Sequence, residues 1–259
     1  MQALETLASE YGMLALGLAF GVMFFGGFTK GAVGFALPMI AISGIGSIMP
    51  AEIAIAALIL PSLFTNIWQS LRNGLGEAWQ SVRKYWRLNA VLLVSIYAFA
   101  QLVTVISDHV LFMALGTGVT LFAAIRISGW IPHISAGLAR KIEPLVGVVS
   151  GFFGGLSGVW GPPIILFLLS QDIPKREVVR VQGISFLVGS IVLSGAHVRS
   201  GLLGPVTLPL SLWMVLPAMA GMALGYRVHD RLDQEKFRKA TLVVLVLAGL
   251  NLLRRGLTG

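Results

Sequence analysis

The sequence predicts an all-α polytopic membrane protein made of two inverted-topology repeats, each opening with a broken helix or re-entrant hairpin followed by three spans. Three observations lead there. The 259 residues are 56% hydrophobic and only 12% charged, about half the charge of a soluble domain. Long apolar runs recur, and residues 88–106 and 206–226 carry no charge at all, close to the ~20 residues that cross a bilayer as a helix. A glycine-rich phrase is written twice: Phe25-Gly26-Gly27-Phe28-Thr29-Lys30-Gly31 returns as Phe153-Gly154-Gly155-Leu156-Ser157-Gly158-Val159. Paired halves with interrupted helices are a common plan of secondary transporters.

In chain order, spans are expected near residues 51–71, 86–106, 110–127, 178–197, 206–226 and 239–254, with segments 11–48 and 141–171 left over. Residues 1–10 are acidic (Glu5, Glu10) and lack a basic leader, so the first span is expected to be retained. The halves align further: Gly34 and Pro38 answer Gly161 and Pro162, Pro50 answers Pro174, and Arg72 answers Arg199, at offsets of 124 to 128. Residues 1–130 read as the first repeat, 131–139 as the connection and 140–259 as the second repeat.

Basic residues choose between topologies. If each leftover segment crosses once, lysine and arginine spread over both sides. If each is a hairpin, the loops 72–87, 126–141, 172–180 and 227–239 share one side with fifteen basic residues, and the other keeps only Arg199, Arg254 and Arg255. The positive-inside rule then makes those loops cytoplasmic and puts both termini outside a cell membrane. The hairpin topology also inverts the halves. It gives five helical elements per half, the first two short. Two full crossings fit 11–48 as well, but 141–171 is too tight for them. Trp79, Tyr85, Trp86, Trp130 and Tyr226 stand near span ends, where such rings favour the interface.

Lys30 is the sharpest candidate for chemistry. It stands about twenty residues into an apolar stretch, where a charge costs roughly 2.5–3.5 kcal/mol on insertion scales. No carboxylate lies nearby in sequence, so an anionic substrate is the natural partner; carbonyls freed at a helix break are the structural alternative. The glycines of the two phrases, with Gly161, Pro162 and Pro163, interrupt regular helix. The short helix after each break presents amides without intrahelical acceptors at the positive end of its dipole, a ready oxyanion site. Thr29 and Ser157 occupy matching places and add hydroxyls. Gly31, Gly158 and Trp160 complete the tips. Ser62, Thr65, Asn66 and Gln69 share one helix face, as do Gln182, Ser185 and Gly189. Asn66, Gln182 and Ser185 are the pathway candidates among them, against ordinary interhelical hydrogen bonding. Gly147, Gly151 and Gly155, like Gly221 and Gly225, read as close helix packing. His197 and Arg199 read as exposed vestibule residues.

Other classes are excluded by what the chain lacks. Without cysteine there is no disulfide or thiolate chemistry. The four histidines are isolated, so no metal or cofactor is implied. Gly-Phe-Thr-Lys-Gly at 27–31 lacks the Gly-Lys-Ser/Thr ending and the preceding strand of a phosphate loop. No nucleophile–base pair points to an enzyme. The net charge of +8 is scattered among spans and so implies loops rather than nucleic acid.

The doubled Phe-Gly-Gly-x-[Ser/Thr] phrase, its following glycines and prolines, and the chain length resemble the TauE/SafE sulfite-exporter family, also called the 4-toluene sulfonate uptake permease family. The resemblance covers essentially the whole chain. It implies a membrane carrier for sulfite, organosulfonates or related sulfur oxyanions, working by alternating access. It also implies a site at Thr29, Lys30, Gly31, Ser157 and Gly158. Lys30 departs from the family's usual small residue at this tip. An anion-selective channel and a membrane accessory protein are the other readings. A proton or sodium coupling ion and a homodimer are left open.

Overall fold

The computed structural model describes residues 2–72, 83–130, 133–171, 175–228 and 234–258. Among these the regular elements are eleven α-helices: α1 (Gln2–Tyr11), α2 (Met13–Val33), α3 (Leu37–Ile45), α4 (Ala51–Arg72), α5 (Trp86–Ala100), α6 (Asp108–Ser128), α7 (Ala136–Ser157), α8 (Gly161–Leu169), α9 (Lys175–Arg199), α10 (Thr207–Val228) and α11 (Gln234–Thr258). Parts of the basic loops 72–87, 172–180 and 227–239, and of the connection 131–139, lie outside the described residues.

Among the described residues six helices are long and apolar enough to cross a membrane: α2, α4, α6, α9, α10 and α11. The chain is a multi-pass membrane protein. The expected span over 86–106 is shorter than its apolar run, because α5 stops at Ala100 and turns occupy 101–106. α7 is 22 residues long but carries Arg140, Lys141 and Glu143 near its start.

Each half opens with a long helix and a short return. The expectation of two short elements is corrected here: α2 has 21 residues and α3 nine, α7 has 22 and α8 nine, or about 31, 13, 33 and 13 Å. The helices also run on through Gly26–Gly31 and Gly154–Ser157, so the first break comes after its glycine phrase and the second begins at the end of its own, at Gly158. They fall at 34–36 and 158–160.

The cause is the same at both. Gly34 (φ 87°) and Gly158 (φ 73°) are left-handed and end their helices, with N–H groups donating to the carbonyls of Lys30 and Gly154, each at 2.7 Å. Only glycine takes that conformation freely. Prolines then open the next helix, Pro38 in α3 and Pro162 and Pro163 in α8, where a missing N–H costs nothing. Matching the two caps makes Lys30 the counterpart of Gly154. Thr29 and Ser157 are therefore not counterparts; the phrase alignment is one helical turn out of step.

The helices pair in a pattern that survives exchanging the halves. α2 packs along α10 as α7 packs along α5, and α4 meets α9 as α6 meets α11. The first two pairs run parallel. Gly27 and Gly31 face Ala218 and Met222 of α10, while Gly147, Gly151 and Gly155 face Leu88, Leu92 and Ile96 of α5. The other two pairs run antiparallel. Asn66 and Ser70 of α4 donate to Phe186 and Gly183 carbonyls of α9, both at 3.0 Å. His109 of α6 meets the Gly256 carbonyl of α11 at 3.0 Å, while Gly116 lies against Gly249.

The glycine stripes let backbones touch. A Cβ on Gly155 would stand 2.7 Å from the Ala100 nitrogen and the Ile96 oxygen. Gly155→Ala is therefore expected to destabilise the detergent-solubilised protein by about 1–3 kcal/mol through overpacking. At Gly195, where a Cβ meets nothing within 4 Å, the same change is expected to stabilise by up to about 1 kcal/mol through helix propensity. Thermal unfolding of the two variants reads the opposite signs.

Candidate functional site

The two breaks sit beside one another and enclose a cavity of about 30 Å³, room for one or two waters. They pass each other in depth rather than meeting end to end. The Gly34 carbonyl accepts from Gln69 Nε2 at 3.1 Å, whereas Gly158 lies against Leu58 and Leu193. Leu58 and Gln69 are separated by about 16 Å along α4. On α4 the cavity is lined by Asn66, one turn from Gln69. Its walls come from Phe35, Ala36, Pro38 and Met39 on one break, Val159, Trp160 and Pro162 on the other, and Phe186 of α9.

Lys30 enters this cavity from the last turn of α2. It is 2% exposed. Its Nζ donates to Thr65 Oγ1 at 2.9 Å and to Asn66 Oδ1. Both acceptors are fixed from behind: Thr65 Oγ1 donates to the Pro61 carbonyl at 2.6 Å, and Asn66 Nδ2 donates to the Phe186 carbonyl at 3.0 Å. Each oxygen thus turns lone pairs toward the ammonium. An ammonium has three N–H groups, and two are used. Among the described residues no carboxylate partners Lys30; Lys239 pairs with Glu235 well away from it in sequence, on α11.

Backbone dipoles add to the positive character unequally. α3 begins at Leu37 and presents the Leu37 and Met39 amides, since Pro38 has none. α8 presents only Gly161 in its first three positions, because Pro162 and Pro163 follow. The second tip therefore offers less hydrogen bonding than glycine content alone implies. Trp160 supplies an indole instead: it is 2% exposed, its Nε1 has no partner, and its ring stands edge-on to Phe186 at 6.1 Å.

The sequence matches the family described as Sulfite exporter TauE/SafE over residues 19–252. The chain belongs to the TauE/SafE family. That family is one of transporters, not of enzymes, and membership makes this a sulfite-exporter-type membrane transporter. No curated protein and no solved structure matches the chain.

Within this TauE/SafE chain the candidates separate. Lys30, Asn66, Gly158 and Trp160 border the cavity. Thr29 and Ser157 do not; their hydroxyls donate to the Phe25 and Phe153 carbonyls one turn back, at 2.9 and 2.6 Å. Gly31 packs on Met222 and Gly225. Ser185 donates to Asn89 Oδ1 at 2.7 Å, joining α9 to α5, and half-buried Gln182 lies off the cavity wall. His197 is not exposed as expected: it is fully buried, with Nδ1 3.4 Å from Ser200 Oγ.

Sequence reasoning missed Phe35, Ala36, Val159 and Phe186. Phe186 carries no signal of its own, being one apolar residue in an apolar span. Ala36 is left-handed at φ 84°, the one such non-glycine among the described residues, and only its place between Gly34 and Pro38 hinted at a tight turn. A side chain there is strained by roughly 1–2 kcal/mol. Ala36→Gly is expected to raise the unfolding temperature or leave it level, and Ala36→Val to lower it, as thermal denaturation in detergent will read.

Proposed function

We propose that this protein is a secondary carrier for a compact sulfur oxyanion such as sulfite, which binds between the two helix breaks with Lys30 as its counter-charge. One observation carries the reading: a buried ammonium held by two neutral oxygens, with its third N–H free, beside a cavity. A buried charge without an opposite partner is costly, and an incoming anion supplies that partner. We assign the anion's oxygens to the amides of Met39 and Gly161, which line the cavity, with the Trp160 ring beside them. The cavity's size favours an ion of a few atoms over an arenesulfonate.

Two inverted halves account for the pairing pattern. Counterpart helices α4 and α9 run antiparallel, as do α6 and α11, which a two-fold axis in the membrane plane requires. Rocking of one half on the other would then open the central site alternately to each side. The basic loops lie on the cytoplasmic side in this reading, which their lysine and arginine excess supports.

Thermal shift of the purified protein with sulfite, thiosulfate, methanesulfonate, 4-toluenesulfonate and acetate tests the site. Ligand at a hundredfold over its Kd stabilises by ~2.7 kcal/mol. Sulfite is expected to stabilise the wild type most. Lys30→Ala is expected to weaken its apparent affinity about 10- to 100-fold, the worth of a charge-assisted hydrogen bond. Asn66→Asp is expected to keep the protein folded and abolish the shift, because an internal carboxylate then occupies the ammonium. An unchanged sulfite response in both variants would refute the site.

A further inference from the structure

A second concave site lies on the basic face, away from Lys30. The start of α5, the start of α7 and the end of α8 enclose a cavity of about 520 Å³. Arg83, Lys84, Arg87 and Arg140 line it, with Glu143 as its one acid. That acid is committed: Glu143 is 9% exposed, and its Oε1 accepts the Leu88 N–H at 3.1 Å, capping the first turn of α5. Its one charge is outnumbered by the four cations of the lining. Arg87 instead lies over the Trp86 ring at 5.7 Å, and Trp86 is 59% exposed, as a ring at headgroup level is.

Below the cavity both helices turn apolar side chains outward. Leu145 and Val149 project from α7, and Val94 and Tyr97 from α5. A positive, roomy mouth thus sits directly above a greasy flank. Orientation alone requires basic residues on one face; it does not require them to line one cavity, with the single acid turned to backbone duty. A phosphodiester joined to acyl chains matches both parts, charge to charge and tail to flank.

We infer that this cavity binds the phosphate headgroup of an anionic phospholipid, with its chains along α5 and α7. The assignment stands independently of the transport reading. Guanidinium groups suit phosphate oxygens through paired N–H donors, and basic pockets between membrane helices hold such headgroups.

The test is lipid retention by the full-length protein in nanodiscs of phosphatidylcholine with a minor fraction of phosphatidylglycerol, read by native mass spectrometry. Phosphatidylglycerol is expected to be enriched on the wild type. The triple variant Arg83→Gln, Arg87→Gln, Arg140→Gln is expected to lose that retention on the order of a hundredfold, while Arg227→Gln with Lys239→Gln retains it. Soluble glycerol 3-phosphate is expected not to displace the lipid. Equal loss in both variant sets would mean undirected surface charge and overturn the assignment. Displacement by glycerol 3-phosphate would make the ligand a free phosphate and overturn the lipid source. Absence of enrichment on the wild type would also overturn it. If the triple variant does not fold, each single change is expected to lower retention about fivefold, and no change in any of them counts against the site.

Discussion

Hydrocarbon offers no partner to a bare backbone amide or carbonyl, and that constraint organises the molecule. Helices that stop inside a membrane leave such groups unpaired, and they survive only where protein encloses them. Here α2 and α7 stop at 34–36 and 158–160, among buried and half-buried residues. Residues of both stops line one cavity; Gly34 meets Gln69 near the end of α4, and Gly158 lies against Leu58 of α4 and Leu193 of α9. Gln69 reaches the Gly34 carbonyl, and the Gly34 and Gly158 amides fold back onto their own helices. The central cavity is what remains between the two interruptions.

Glycine serves this arrangement in two separate ways. Gly34 and Gly158 supply a backbone conformation. Gly27, Gly31, Gly151, Gly155, Gly221 and Gly225 supply proximity, bringing α2 onto α10 and α7 onto α5 until the backbones touch. The repeated phrase in the sequence belongs mostly to the second use, with Gly158 at the end of its second copy the exception. That is why its alignment points one turn away from the true breaks, and why Thr29 and Ser157 seemed equivalent. A glycine seen in sequence carries no mark of which use it has.

Much of the architecture was legible because it is written in hydropathy and punctuation. The apolar spans over 51–71, 110–127, 178–197, 206–226 and 239–254, and a short helix following each break, followed from apolar runs, prolines and glycines. The site was legible where it departs from its surroundings: Lys30 and Asn66 are polar residues in apolar helices, and Gly158 and Trp160 stand at a helix end. Phe35, Val159 and Phe186 were hidden because an apolar wall residue resembles every lipid-facing neighbour. Gln182 and Ser185 were placed too near the cavity for a related reason: helical spacing assigns residues to a face without saying which helix that face meets, and Ser185 meets Asn89.

The two mouths of the cavity differ in compliance. Consecutive prolines at 162 and 163 lock two backbone torsions, so the α8 rim acts as a rigid anvil. Ala36 holds the opposite rim in a conformation that an L-residue leaves readily once its neighbours relax. In the proposed carrier, widening around a guest would fall to the Lys30 side, coupling the reach of the ammonium to the relaxation of its own rim and leaving the tryptophan side as a fixed reference surface.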